Sequence, residues 1–136
     1  MADKDAMAPA SFGFTKIITR DVDQIVDFYG RILGLKLIET VEFPHLVEKL
    51  LAAPGQEAGP FLVLYHEFDG APLKHGNAWG PIGFQVPDVD ATYAEALAAG
   101  GTADMEPFNY EDVRVAMFCA PEGHKVELIG APGSAK

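Results

Sequence analysis

The stretch Pro121-Glu-Gly-His-Lys-Val-Glu-Leu-Ile-Gly130 combines a turn signal with a short alternating run. Proline presets φ at one turn position and glycine accepts a positive φ at another, so Pro-Glu-Gly predicts a tight turn. In the residues that follow, apolar Val126 and Leu128 alternate with charged Lys125 and Glu127, which predicts a strand. A carboxylate in the middle of a strand is costly unless it is solvated, paired or bound to a metal. The partner of Glu127 is therefore the first functional question that the sequence raises.

Composition narrows the class of protein before any motif is considered. A chain of 136 residues is one domain by size, or two very small modules that share a core. The net charge of −10 argues against nucleic acid and against anionic membranes as partners. No apolar run approaches the roughly 18 residues that a membrane span needs, and residues 1–11 lack the apolar segment of a secretory signal. The single cysteine, Cys119, excludes an internal disulfide and is typical of a reducing cytoplasm.

The first half of the chain reads as strand, helix and then further strands. Residues 12–19 predict a strand, and Asp21 predicts a helix N-cap with Gln24 as its capping-box partner. Gly34 supplies the helix stop. Strands are expected at residues 35–42 and 61–65, whereas residues 46–52 are ambiguous between a short helix and a strand.

The second half repeats this order after a polar, turn-rich segment. Asp21-Val-Asp23 recurs as Asp88-Val-Asp90, a shift of 67 residues, each time just after a predicted strand. Each half therefore reads β-α-β-β-β, and neither is large enough to close a core alone. The predicted division is a loose arm at 1–11, a first module at 12–68, a linker at 69–80, a second module at 81–130 and a tail at 131–136. We expect an α+β fold with one curved mixed sheet around a concave cleft and the helices outside.

Two motifs resemble the vicinal oxygen chelate superfamily, which includes glyoxalases, bleomycin-resistance proteins and extradiol dioxygenases. Asp27-Phe-Tyr-Gly-Arg-Ile-Leu-Gly-Leu-Lys36 is similar to the family's helix exit, and Ala120-Pro-Glu-Gly-His-Lys-Val-Glu-Leu128 is similar to its signature before the last strand. The resemblance covers residues 12–130 and implies the paired-module fold. It also implies that residues 46–52 form a strand.

The resemblance implies four metal-ligand positions on the concave face in the metal-dependent members of the family. They fall at Phe14, Val63, Pro81 and Glu127. Divalent-ion chemistry needs His, Gln or Glu at such positions, so only Glu127 qualifies. We expect no bound metal and no other cofactor.

Strand alternation and the family's face assignment together predict which side chains line the cleft. Lys16, Tyr65, Gln85 and Glu127 are expected to point into it among aromatic groups such as Phe14. An apolar pocket with a few convergent polar groups is typical of small-molecule sites. Glu127 and Lys16 are the candidate catalytic pair, with a structural salt bridge as the simpler interpretation. The candidate ligand-binding residues are Phe14, Val63, Tyr65, Gln85, Tyr110 and Arg114.

Three functions remain open at this stage. The leading hypothesis is a metal-free binding protein of the glyoxalase/bleomycin-resistance type, which holds a small, partly aromatic ligand and forms a homodimer as its relatives do. The alternative is a lyase (lactoylglutathione lyase-like), isomerase or dioxygenase, either metal-dependent or with Glu127 as acid and base. The third is a family member that acts only as a protein-interaction subunit.

Overall fold

The structure, a computed structural model, describes residues 7–132. The first module contains strand β1 (Phe14–Ile18), helix α1 (Val22–Leu33) and strands β2 (Lys36–Glu42), β3 (Leu46–Ala52) and β4 (Phe61–Glu67). The second contains strand β5 (Ile82–Gln85), helix α2 (Val89–Ala98) and strands β6 (Thr102–Tyr110), β7 (Val113–Cys119) and β8 (Lys125–Gly130). Both halves are therefore β-α-β-β-β units, as the repeat predicts, and the ambiguous residues 46–52 form a strand.

The two modules have the same strand order. The first sheet runs β1-β4-β3-β2 and the second runs β5-β8-β7-β6. In each, the first strand pairs parallel with the last, and the remaining pairs are antiparallel. The α+β fold with paired modules is confirmed. The strands form two four-stranded mixed sheets, where the sequence led us to expect one curved sheet.

The repeated Asp-Val-Asp tripeptide marks the start of both helices. The Asp21 carboxylate accepts a hydrogen bond from the backbone N–H of Gln24 at 3.2 Å, and the Asp88 carboxylate accepts one from Ala91 at 3.0 Å. Each bond satisfies one of the backbone donors that a helix leaves unpaired in its first turn. Gly34 ends α1 in the left-handed conformation at φ 70°, as expected.

Both helices and one face of each sheet share a single core. From α1, the Phe28 ring lies 6.0 Å from that of Phe118 in β7, and the Tyr29 ring lies 6.4 Å from that of Phe84 in β5. Fully burying a side chain of this kind contributes about 2 kcal/mol. The helix of the first module therefore packs on the sheet of the second, which joins the two small units into one core. We call the opposite side of each sheet, which faces away from the helices, its open face.

A segment without helix or strand, residues 68–81, connects the modules where the linker is predicted. The predicted arm and tail lie partly outside the described residues. Within residues 7–132, no helix is long and apolar enough to cross a membrane.

Candidate functional site

The open face of the first sheet carries the predicted site residues of that module. In β4, Leu62 and Leu64 belong to the core. Val63 and Tyr65 alternate with them along the strand and therefore lie on the open face. Lys16 in β1 is the direct neighbour of Val63 across the parallel pair. Phe14 shares this face and is 55% exposed. The structure thus brings Phe14, Lys16, Val63 and Tyr65 together.

The centre of this face is an ion pair between Lys16 and Glu48. The Lys16 ammonium lies 2.6 Å from a carboxylate oxygen of Glu48 in β3. The exposed fractions of the two side chains are 40% and 14%, so the carboxylate is the more sheltered partner. Strand β4 separates β1 from β3, and the Lys16 side chain reaches diagonally across it, from the position beside Val63 to Glu48 opposite Tyr65. The pair places a donor and an acceptor side by side on an otherwise largely apolar surface.

Aromatic rings flank the Lys16 ammonium. The nitrogen lies 5.6 Å from the ring centroid of Phe14 and 5.5 Å from that of Tyr65. A cation at this distance is attracted to the negative face of a ring. Phe14, Tyr65 and Glu48 therefore hold the lysine in one place, so that its remaining hydrogens present a fixed donor to a bound molecule.

Sequence reasoning missed Glu48, although the resemblance implied a strand at residues 46–52. Once residues 46–52 are a strand, Leu51 in the core fixes the alternation and puts Glu48 on the open face. The strand order then determines whether Lys16 can reach it. Glu48 could have been found from the sequence as a second carboxylate in the middle of a strand, which is the same feature that draws attention to Glu127.

The open face of the second sheet is apolar around Glu127. Val126 and Leu128 are in the core, so Glu127 lies on the open face as predicted, beside Met117 of β7 and Gly83 of β5. Gln85 is on the same face and exposed. Tyr110, which is 59% exposed, pairs with Val113 toward the far end of that face.

One predicted pairing is wrong, and one candidate ligand-binding residue, Arg114, is bonded within the protein instead. Lys16 does not pair with Glu127, because it bonds Glu48 within its own sheet. Arg114 does not line the open face, because it shares the face of the core residue Ala116. Its guanidinium bonds both carboxylate oxygens of Asp90 in the first turn of α2, at 2.8 and 3.0 Å. Hydrogen bonding to Asp90 raises the pKa of Arg114, so this side chain serves as a stable brace between helix and sheet.

The residues at the implied metal positions do not fit a divalent ion. Phe14, Val63 and Pro81 carry no donor atom in their side chains, which leaves Glu127 as the single candidate ligand. Among residues 7–132, no group of three or more His, Cys, Asp or Glu side chains is arranged to hold a metal. The polar side chains on the open faces instead include Lys16, Glu48, Gln85 and Glu127.

Comparison with known proteins identifies the family. The model of the Glyoxalase/Bleomycin resistance protein/Dioxygenase superfamily matches residues 11–128. The chain belongs to this superfamily. Among relatives, the lactoylglutathione lyase of Haemophilus influenzae is 31% identical over 120 residues, which cover 85% of this chain and 88% of that protein. The "Probable lactoylglutathione lyase" of Vibrio cholerae is 28% identical over 85% of this chain and 86% of that protein.

Solved structures of the superfamily show the same fold. Glyoxalase I of Leishmania major, described as trypanothione-dependent, superposes with a TM-score of 0.79 at 25% identity, covering 90% of this chain and 87% of that one. A glyoxalase family protein of Bacillus cereus reaches 0.80 at 15% identity, covering 98% and 99%. Maize glyoxalase I matches at 0.77 and 22% identity over 86% of this chain, which spans 44% of the maize chain. The superfamily scaffold is shared across this range of sequence identity.

Proposed function

We propose that this superfamily member binds a small, partly aromatic organic molecule on the open face of its first sheet, without the metal chemistry of the metal-dependent relatives. The observation that carries the proposal is the ion pair of Lys16 with Glu48, set between Phe14 and Tyr65. Aromatic walls supply stacking surface, and the ion pair supplies one fixed donor and one fixed acceptor. A carbonyl, hydroxyl or amine substituent on a ring matches that pattern.

The second half of the pocket is proposed to come from another copy of the chain. Phe14 and Ile18 on the first open face, and Met105, Phe108 and Tyr110 on the second, are large apolar side chains that are each at least 39% exposed. Pairing the first open face of one copy with the second open face of another would bury them and bring Glu127 and Gln85 opposite Lys16. We therefore propose a homodimer with two equivalent ligand sites. Native mass spectrometry tests it, and a monomer at micromolar concentration would contradict it.

The binding proposal is tested with neutral aromatic probes. Phenol and indole are titrated into the isotope-labelled protein, and we expect saturable shifts of amide resonances around Phe14, Lys16 and Tyr65. Lys16→Met should weaken binding about fivefold or more, because one charge-assisted hydrogen bond is lost. Lys49→Gln is the matched control, since Lys49 bonds Thr40 and lies on the helix face of β3. Equal losses in both variants, or no saturable shift, would contradict the proposal.

The second candidate is a lactoylglutathione lyase-like enzyme, and the names of the relatives favour it. In this case Glu127 or Glu48 would transfer the proton. The test combines elemental analysis for divalent ions with an assay of lactoylglutathione formation. An acid/base enzyme should lose turnover by about 10²-fold or more on replacement of its carboxylate by glutamine. A stoichiometric ion and chelator-sensitive turnover would replace our proposal with the metal-dependent reaction.

A further inference from the structure

A cavity of about 490 Å³ lies between the two modules, beside the ion pair of the first open face: Lys16 lines it, whereas Phe14, Glu48, Val63 and Tyr65 do not. One wall is strand β1, an edge strand of the first sheet. The linker forms the second wall, and the turn between β7 and β8 forms the third. Trp79 of the linker also lines the cavity, and its side chain is 87% exposed. The proposed open-face ligand does not account for this space.

The charge of the cavity wall is opposite to that of the chain. The chain has a formal charge of −10. The wall, however, contains four cationic side chains and two histidines against only two carboxylate residues. The cationic residues are Lys16, Arg20, Lys74 and Lys125, the histidines are His75 and His124, and the acids are Glu67 and Asp69.

Two of these four cations, Lys74 and Arg20, are not fully paired within the protein. The other two have carboxylate partners, since Lys16 bonds Glu48 and Lys125 lies 3.8 Å from Asp104. Within residues 7–132 no carboxylate oxygen lies within 4.0 Å of the exposed Lys74 ammonium. Arg20 donates one hydrogen bond to the Glu67 carbonyl at 3.2 Å and lies 3.7 Å from Asp69. Because a guanidinium has five N–H donors, Arg20 keeps donors for a further partner.

The histidine pair is held in place by the turn. The His75 and His124 rings meet edge to face with centroids 4.7 Å apart, and the His75 ring nitrogen Nε2 lies 2.9 Å from the Glu122 carbonyl oxygen. Gly123 permits this approach, because a Cβ on it would lie 2.8 Å from His75 Nε2 and because its φ is +99°.

The same turn is anchored to the first module. The Glu122 carboxylate accepts hydrogen bonds from the backbone N–H groups of Arg20 and Asp21, at 2.9 and 2.6 Å. The three walls of the cavity are thus bonded to one another at their meeting point. The basic groups are arranged before any ligand arrives, which lowers the cost of binding.

We infer that this cavity binds a small organic anion, a carboxylate or a phosphate or sulfate ester, between Arg20, Lys74 and the His75–His124 pair. Charge-assisted hydrogen bonds from lysine, arginine and imidazolium donors are the strong interactions available to such a group. Trp79 can cover a flat or apolar substituent on the anion. The site adjoins the open-face site, with which it shares Lys16, but its anion-binding groups are different, and it goes beyond the proposed function.

Anion binding at this pair should strengthen as the pH falls. The charged groups that line the cavity with the pair are Lys16, Arg20, Glu67, Asp69, Lys74 and Lys125, and Glu122 lies on the same turn as His124. Burial and the neighbouring His75 lower the pKa of His124 in the free protein. An anion bound beside the rings would favour the protonated form of His124, so binding and proton uptake should be linked.

The test uses two anions whose charge does not change between pH 6 and 8, benzoate and sulfate. Each is titrated into the full isotope-labelled chain at constant ionic strength, with chloride as the exchanged salt. We expect saturable amide shifts at residues 74, 75, 123 and 124, and binding about fivefold tighter at pH 6 than at pH 8. Saturation by benzoate alone would assign an aryl carboxylate, and saturation by sulfate alone would assign a phosphate or sulfate ester.

Variants separate this site from general charge effects. Lys74→Gln should weaken binding about fivefold, and His124→Gln should reduce the pH dependence of binding. Lys49→Gln removes the same charge from the far side of the first sheet and should have little effect. The inference is overturned if neither anion gives saturable shifts at either pH, or if Lys49→Gln weakens binding as much as Lys74→Gln.

Discussion

The two sheets have the same strand order and corresponding β1/β4 and β5/β8 pairings, yet their open faces differ in chemistry. In the first sheet an ion pair, Lys16 with Glu48, occupies the centre between aromatic rings. In the second sheet Glu127 stands among apolar neighbours such as Met117, with no cation within 4.0 Å of its carboxylate among the described residues. The comparison teaches that the repeat fixes where an open-face residue lies, whereas individual side chains decide what that face can bind.

The largest expected difference between the modules lies at the end of their last strands. Thr19 donates a backbone hydrogen bond to Tyr65, and Val86 donates the equivalent bond to Ile129. The next residue is His66 in the first module, where its ring nitrogen Nδ1 lies 3.0 Å from the Thr19 carbonyl. In the second module it is Gly130, where a Cβ would lie 2.5 Å from the Val86 carbonyl oxygen.

Gly130→Ala should therefore lower the free energy of unfolding by about 3 kcal/mol, because the new methyl group would force the backbones of Gly130 and Val86 apart. His66→Ala should cost only about 1 kcal/mol, the value of one hydrogen bond. Urea denaturation measures both. Gly83→Ala in β5 is the matched control, since a Cβ there has no atom within 4 Å, and it should change stability by about 0.5 kcal/mol or less. A Gly130→Ala protein as stable as Gly83→Ala would show that the modules are equally tolerant at this position.

The open faces should also differ in what their charges contribute to stability. Lys16→Met leaves the sheltered Glu48 carboxylate without its cation and should lower the free energy of unfolding by about 1 kcal/mol, a figure reduced by the exposure of Lys16. Glu127→Gln should change it by about 0.5 kcal/mol or less, because no ion pair is lost. Chemical denaturation of the two variants and of Lys16→Met/Glu48→Gln forms the comparison. Equal losses for Lys16→Met and Glu127→Gln would remove the distinction between the faces.

The fold was predictable because its signals are local. The caps at Asp21 and Asp88, the stop at Gly34 and the alternation around Val126 and Leu128 each act within a few residues of chain. The resemblance then fixed the module order and the strand at residues 46–52. The open-face positions of Phe14, Val63 and Tyr65 followed from alternation together with the face assignment that the resemblance implied.

The contacts of the site were less predictable because they depend on distances between strands. The Lys16 side chain is long enough to reach past an adjacent strand, so its partner depends on the order of the strands. The order β1-β4-β3 brings Glu48 to 2.6 Å from the Lys16 ammonium. The partner of Arg114 was not foreseen for a similar reason, because Asp90 lies on a helix 24 residues earlier in the chain. The Glu122 carboxylate reaches the start of α1 across 101 residues, a contact that no local pattern indicates.

His124, in the turn before β8, should make the stability of the protein depend on pH. Burial and the neighbouring His75 lower the pKa of His124 below its ordinary value of about 6.5. The unfolded chain then binds a proton more readily than the folded protein, so stability should fall as the pH drops below about 6.5. Denaturation midpoints at pH 7.5 and 5.5 should differ more for the wild type than for His124→Gln. His45→Gln, at an exposed position beside β3, is the control and should keep the wild-type difference; if it loses that difference too, the effect does not come from His124.

The smallest effect is expected where the two helices bury tyrosine hydroxyls. Among residues 7–132 neither Tyr29 of α1 nor Tyr93 of α2 has a hydrogen-bond partner for its buried hydroxyl. Burial raises the pKa of Tyr29, so its hydroxyl stays protonated, and no hydrogen bond compensates for the water that the hydroxyl loses on folding. Tyr29→Phe should raise the free energy of unfolding by about 1 kcal/mol or less, and Tyr93→Phe by less, because Tyr29 is 0% exposed and Tyr93 is 7% exposed. Paired thermal and urea unfolding measures both differences. A loss of stability in Tyr29→Phe would mean that its hydroxyl has a bonded partner in solution, such as a buried water molecule, and that the first helix is held to the shared core by more than apolar contact.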